Sequence, residues 1–94
     1  MIYILVALRS ELPNIEDLDN SKFKVWYTGV GKINATVTAT LAANQKDCER
    51  IINYGTAGAF EHTLVGKLLE VGAVRQRDMD CRPMTALGLT PFET

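Results

Sequence analysis

Three short stretches of this sequence combine residue types that suit chemistry on a small polar ligand. The first is Asn53-Tyr54-Gly55-Thr56-Ala57-Gly58-Ala59, which follows the apolar pair Ile51-Ile52 and sets Gly55 and Gly58 around the hydroxyl of Thr56. A turn of that composition lets backbone groups come close to a ligand, and the hydroxyl adds a directional hydrogen bond. The second is Gly29-Val30-Gly31-Lys32-Ile33-Asn34-Ala35, where small residues again end a strand-like run. It begins like the Gly-x-Gly-x-x-Gly fingerprint of dinucleotide binding, but Asn34 stands where the third glycine belongs, which weighs against such a cofactor. The third is Arg9-Ser10-Glu11, which places a carboxylate directly after the apolar run Ile2 to Leu8. A Walker-type phosphate loop is excluded, because Gly31-Lys32 is followed by Ile33 and Gly66-Lys67 by Leu68, where a metal-binding hydroxyl is required.

The elements that must position these stretches are legible in outline. Ile2 to Leu8 is rich in aliphatic and β-branched residues without clean alternation, as expected of a central strand covered on both faces in an α/β sheet. Pro13 and the acidic segment Glu16-Asp17-Leu18-Asp19-Asn20 interrupt the pattern. Phe23 to Thr28 then reads as a second strand with one more polar face, ending at Gly29. From Lys32, Ile33, Val37 and Leu41 fall four apart among alanines, which predicts an amphipathic helix to about Gln45 whose small residues permit close packing on a sheet. Thr36, Thr38 and Thr40 lower its intrinsic propensity, so tertiary packing must support it. Arg50 to Tyr54 is a short third strand, which makes strand, helix and strand a βαβ unit with a parallel pair and a right-handed crossover. Val65 to Val74 reads as a fourth strand interrupted at Gly72, and the tail from Cys81 to Thr94 as irregular.

At 94 residues and 47% hydrophobic content, the chain is expected to form a single α/β domain over residues 1–94. Its 10 basic and 11 acidic residues give a formal net charge of −1, which offers no footprint for nucleic acid or an anionic membrane. The N-terminal apolar run is too short to span a bilayer and has no preceding basic segment, so a cytoplasmic location is expected. Cys48 and Cys81 are expected to be reduced thiols. With no Cys-x-x-Cys and a single histidine, His62, no zinc site is expected, and no cofactor. Asp78 and Asp80 lack further ligands and read as structural or as part of a polar interface.

Taken in order, Ala7-Leu8-Arg9-Ser10-Glu11, the Gly29 to Ala35 loop, Ile51-Ile52-Asn53-Tyr54-Gly55-Thr56-Ala57-Gly58, Val65-Gly66-Lys67 and Arg75-Gln76-Arg77-Asp78-Met79-Asp80 resemble the nucleoside phosphorylase and nucleosidase superfamily. The resemblance is closest to its 5′-methylthioadenosine/S-adenosylhomocysteine nucleosidases, in their N-terminal portion. It implies a mixed, largely parallel sheet with flanking helices, here incomplete, and a purine nucleoside N-ribosyl hydrolase that uses no cofactor. It assigns catalysis to Glu11, which would orient and help deprotonate the water that attacks the anomeric carbon. Such a reaction passes through an oxocarbenium-like state that a nearby carboxylate stabilises. It assigns substrate contacts to Leu8, Val30, Thr56, Ala57 and Gly58, and it places Cys81 and Met84 against the pocket of a partner subunit. Read without the resemblance, Glu11 is a solvated loop residue, Leu8 and Val30 are core, and Gly58 supplies a positive φ in an ordinary turn.

The resembled enzymes are longer, and their later part supplies a Met-Glu pair for the ribose hydroxyls and an aspartate that protonates the leaving purine. Neither has a candidate in this sequence, so the chain alone is expected to be an incomplete catalyst. A homodimer or a completing second polypeptide is the expected partner, since an open sheet would leave an exposed edge. The alternatives are a nucleoside phosphorylase, which the cation at Arg9 would favour, and a non-catalytic nucleoside-binding or assembly module.

Overall fold

The computed structural model describes residues 1–93, and the chain divides into two compact units, Met1–Gly58 and Ala59–Thr94. The last residue of the expected irregular tail, Thr94, lies outside the described residues.

The first unit is an α/β layer. Strands β1 (Ile2–Val6), β2 (Phe23–Tyr27) and β3 (Arg50–Asn53) form a wholly parallel sheet in the order β2-β1-β3. Ile2 faces Phe23 on one side and Arg50 on the other, and Val6 faces Tyr27. The most continuous apolar run thus takes the centre, where both edges of its backbone are hydrogen-bonded. β2 and β3 each pair with β1 and not with one another, which corrects the expectation that the strands flanking the helix form the parallel pair. The chain crosses over β1 instead.

Helix α1 (Lys32–Ala43) packs against β1 and β3. Tyr3, Leu5 and Ala42 form the buried cluster, with Met1, Trp26, Ala39, Cys48 and Ile51 packed around it. The Tyr3 and Trp26 rings meet edge to face, 5.0 Å between centroids, a favoured arrangement for aromatic pairs. The small face of the helix, Ala39 and Ala42, is the one laid on the sheet. The four-apart stripe is not: Ile33, Val37 and Leu41 are 82%, 54% and 57% exposed. Small side chains let the helix approach a sheet face already filled by Tyr3 and Leu5, and that choice turns the larger residues outward. On the other face of β1 Val6 is buried but Ile2 and Ile4 are only half-buried, so that face is incompletely covered. Thr36 and Thr40 are accommodated by donating their hydroxyls to the carbonyls of Lys32 and Thr36, at 2.7 and 2.8 Å.

At the N-terminal end of the sheet the Tyr3 hydroxyl donates to Asp47 at 2.6 Å, and Lys24 lies 3.7 Å from the same carboxylate. The accepted hydrogen bond holds Asp47 below the usual carboxylate range. The donated one, with burial, pushes the Tyr3 phenol up to about 12.

In the second unit Gln76 N donates to Gly88 O and Gly88 N to Met79 O, both at 2.8 Å. Arg82 clasps Asp80 through two side-chain hydrogen bonds of 2.8 and 2.7 Å. The expected fourth strand is absent among the described residues: a single 3-10 turn at His62–Leu64 is followed by chain without a ladder. Gly66 adopts φ +79°, which breaks an extended run, and Val65, Leu68, Val71 and Val74 are exposed. A strand exists only by pairing its backbone, and β propensity alone does not supply that.

Candidate functional site

In a parallel sheet every strand points the same way, so the segments leaving β1, β2 and β3 emerge at one edge. Those segments are the three stretches that the sequence singles out. Backbone bonds prolong the sheet into them: Thr28 N donates to Val6 O at 2.8 Å, Gly29 N to Ala7 O at 3.1 Å, and Tyr54 N to Leu5 O at 3.0 Å.

After β1 the chain makes one 3-10 turn, Arg9–Glu11, with Leu8 preceding it in extended conformation. The turn is closed by Glu11 N to Leu8 O at 3.1 Å and Leu12 N to Arg9 O at 3.3 Å. The Glu11 carboxylate bends back, and its Oε1 accepts from Leu8 N at 3.1 Å, half of the reciprocal capping arrangement of helix starts. Its Oε2 accepts from both the backbone N–H and the hydroxyl of Thr56, at 2.8 and 2.7 Å. A residue 45 positions away thereby ties the β1 segment to the β3 segment.

These hydrogen bonds, the Thr56 hydroxyl first and its N–H second, hold Glu11 below the usual carboxylate range, with burial opposing them. The carboxylate is therefore charged at neutral pH. Each carboxylate oxygen has about two lone-pair sites. Oε2 is saturated by Thr56, whereas Oε1 has used one on Leu8 and keeps one for a further donor. One acceptor position on Oε1 is thus left for a further donor.

Gly55 has a role that the sequence reading missed. A Cβ there would lie 3.2 Å from Glu11 Oε2 and 3.7 Å from its Cδ, a tight contact that the glycine avoids. Its position directly before Thr56 was the available signal. Gly58 by contrast does not adopt positive φ and has open space around its α-carbon, which corrects the expectation for an ordinary turn. In the second loop it is Gly29 and Gly31 that take left-handed φ, at +81° and +99°. Gly31 caps α1, and Asn34 Nδ2 donates back to Val30 O at 2.8 Å, which gives Asn34 a structural purpose in place of a third glycine.

Of the residues predicted for the site, Leu8, Glu11 and Thr56 are brought together by direct hydrogen bonds. Val30 stands on the same sheet edge, exposed, in the loop after β2. Neither it nor Leu8, which is 48% exposed, is core. Ala57 and Gly58 are exposed and follow Thr56 in the chain. Cys81 and Met84 belong to the second unit, where Met84 N donates to Cys81 O at 2.9 Å and the Met84 side chain is exposed. Cys48 and Cys81 are free thiols. Among the described residues no group of three or more His, Cys, Asp or Glu is placed to hold a metal, and no helix is long and apolar enough to cross a membrane.

Over 54 residues the chain is 43% identical to the 5′-methylthioadenosine/S-adenosylhomocysteine nucleosidase of Bacillus pumilus (strain SAFR-032). It is 41% identical over 54 residues to the enzymes of the same name from Bacillus subtilis (strain 168) and Bacillus velezensis. Each match covers 56% of this chain and 23% of the relative, so the chain spans about a quarter of the length of these relatives. No family model and no solved structure matches. Across a matched stretch of 54 residues, then, the chain is similar to the 5′-methylthioadenosine/S-adenosylhomocysteine nucleosidases, the family its glycine loops and Glu11 resemble.

Proposed function

We propose that residues 1–94 are the N-terminal portion of a purine nucleoside N-ribosyl hydrolase of the methylthioadenosine/adenosylhomocysteine type, with Glu11 as the residue that holds the attacking water. The observation that carries this reading is the Glu11 carboxylate itself: ionised, fixed by three hydrogen bonds, and left with one open lone pair on Oε1. A water donating to Oε1 would point its own lone pair away from the protein, toward the anomeric carbon of a bound ribose. As the C1′–N9 bond breaks with its electron pair going to the purine, the C1′–O bond forms and the water proton passes to Glu11. The carboxylate charge also stabilises the oxocarbenium-like sugar. No residue of this chain is assigned to protonating the purine, so the proposal covers the water side of the reaction.

In this reading Leu8 and Val30 flank the ribose and the 5′-substituent, and Thr56, Ala57 and Gly58 approach the sugar and base. Cys81 and Met84 serve a partner subunit's pocket. The expected setting is a cytoplasmic homodimer or a complex with a completing polypeptide.

The test is incubation of the complete protein, this chain together with the polypeptide that completes it, with methylthioadenosine and adenosylhomocysteine, with and without phosphate, following free adenine. Phosphate-independent release that Glu11→Gln slows by roughly 10²–10⁴-fold is expected. Strict phosphate dependence would make it a phosphorylase. Calorimetric binding of methylthioadenosine without any adenine release would make it a nucleoside-binding module.

A further inference from the structure

Tyr27 ends β2 where β1 also ends, paired with Val6 across the ladder, and it touches the Glu11-bearing turn at both ends. Its ring lies under the guanidinium of Arg9, the first residue of the turn, with Cζ 4.5 Å from the centroid. Its hydroxyl donates to the carbonyl of Leu12, the residue just after the turn, at 2.8 Å. Its own bonds are few: it is a single 3-10 turn, none of its residues is buried, its two backbone bonds measure 3.1 and 3.3 Å, and the Leu8 N–H caps it through Glu11 Oε1 at 3.1 Å. Isolated turns of that length do not persist in water on local bonds alone. The contact with Thr56 fixes the end of the Glu11 side chain but not the backbone that carries it.

We infer that Tyr27 is the positioning residue for Glu11, clamping the Arg9–Leu12 turn from below through its ring at one end and its hydroxyl at the other. β2 is a hydrogen-bonded strand of the sheet, so the clamp transfers the rigidity of the sheet to a surface turn. The geometry of the clamp stands independently of the reaction. Its meaning for catalysis rests on the reading of Glu11 given above.

The experiment follows the side-chain carboxyl carbons of Glu11 and Asp47 by NMR through an acid titration of the full chain, in wild type, Tyr27→Phe and Tyr27→Leu. Asp47 reports the opposite end of the sheet, through its own hydrogen bond from Tyr3. In wild type both carboxylates titrate below the ordinary range. Tyr27→Phe keeps the ring and loses the bond to Leu12, so the Glu11 midpoint rises toward the ordinary value while that of Asp47 stays. Tyr27→Leu releases both ends and moves Glu11 further. If Tyr27→Leu does not fold, Tyr27→Phe decides by itself. A Glu11 midpoint unmoved in Tyr27→Phe overturns the inference, and so does a parallel movement of Glu11 and Asp47, which would report general loosening. No adenine release by the complete protein, this chain together with its completing polypeptide, while Glu11 responds to Tyr27→Phe would sink the proposed function and leave the clamp standing.

Discussion

Replacing Thr56 by valine removes one hydroxyl at nearly constant shape and leaves the backbone N–H in place. The Glu11 carboxylate accepts at 2.7 Å from the Thr56 hydroxyl, at 2.8 Å from Thr56 N and at 3.1 Å from Leu8 N. The hydroxyl gives the shortest of the three and the largest single contribution to the lowered Glu11 pKa. In Thr56→Val the Glu11 midpoint therefore rises, held back by the two N–H bonds that remain. Loss of one restraint also lets the carboxylate rotate, so in the proposed reading a water on Oε1 is aimed less well. If Glu11 is the general base proposed above, a role worth roughly 10²–10⁴-fold in rate, Glu11→Gln is expected to lose about that much in the complete protein. Thr56→Val, which loosens the base without removing it, is expected to lower kcat about tenfold with little change in KM. Thr56→Ser keeps the hydroxyl and restores both the midpoint and the rate. The assays are adenine release across a pH series and carboxyl NMR on the same variants. A Thr56→Val protein with the wild-type midpoint and rate, or a Thr56→Ser protein that behaves like Thr56→Val, would refute the reasoning.

Gly55→Ala puts a methyl 3.2 Å from Glu11 Oε2, an oxygen held by two bonds, so either the carboxylate or the turn must give by a few tenths of an ångström. The Glu11 midpoint should rise in this variant, and retention of the wild-type titration would show that the turn yields instead. The depressed Glu11 pKa means that ionisation favours the folded arrangement: its contribution is present above the ordinary carboxylate pKa and is lost as pH falls through the lower folded value. Hydrogen exchange at Thr56 N–H should accordingly speed up, relative to an exposed reference amide, only on the acid side. For the Tyr3 phenol, raised to about 12, the sign is opposite, with stabilisation complete below pH 10.0 and lost as pH rises from there through about 12. An ultraviolet phenolate titration in which every tyrosine ionises near pH 10 in folded protein would contradict the bond to Asp47. Ile33→Gln, at a position 82% exposed, should change stability by less than about 0.5 kcal/mol in urea denaturation. A loss several times larger would mean that Ile33 is covered in solution.

The apolar runs of the sequence determined where strands begin and end to within a residue or two, and its glycines marked where those strands turn. Ile2–Val6, Phe23–Tyr27 and Arg50–Asn53 are each local statements: a short β-branched or aromatic run bounded by polar or small residues. The residue types of the site were also legible, because Glu11 follows one strand and Thr56 another. The tertiary structure alone decided what depends on partners distant in the chain. It set β1 between β2 and β3, since the strand best able to bury its backbone takes the centre. It laid Ala39 and Ala42 on the sheet and turned Ile33, Val37 and Leu41 outward, a choice of face that periodicity leaves open when small and large residues occupy different sides. It left Val65 to Val74 unpaired, because a strand is made by its neighbour as much as by its own propensity. And it joined Glu11 to Thr56 across 45 residues, with Gly55 making room and Tyr27 beneath the turn. A hydrogen bond is a matter of tenths of an ångström between atoms, and no spacing along a sequence encodes that distance until parallel strands bring their ends to one edge.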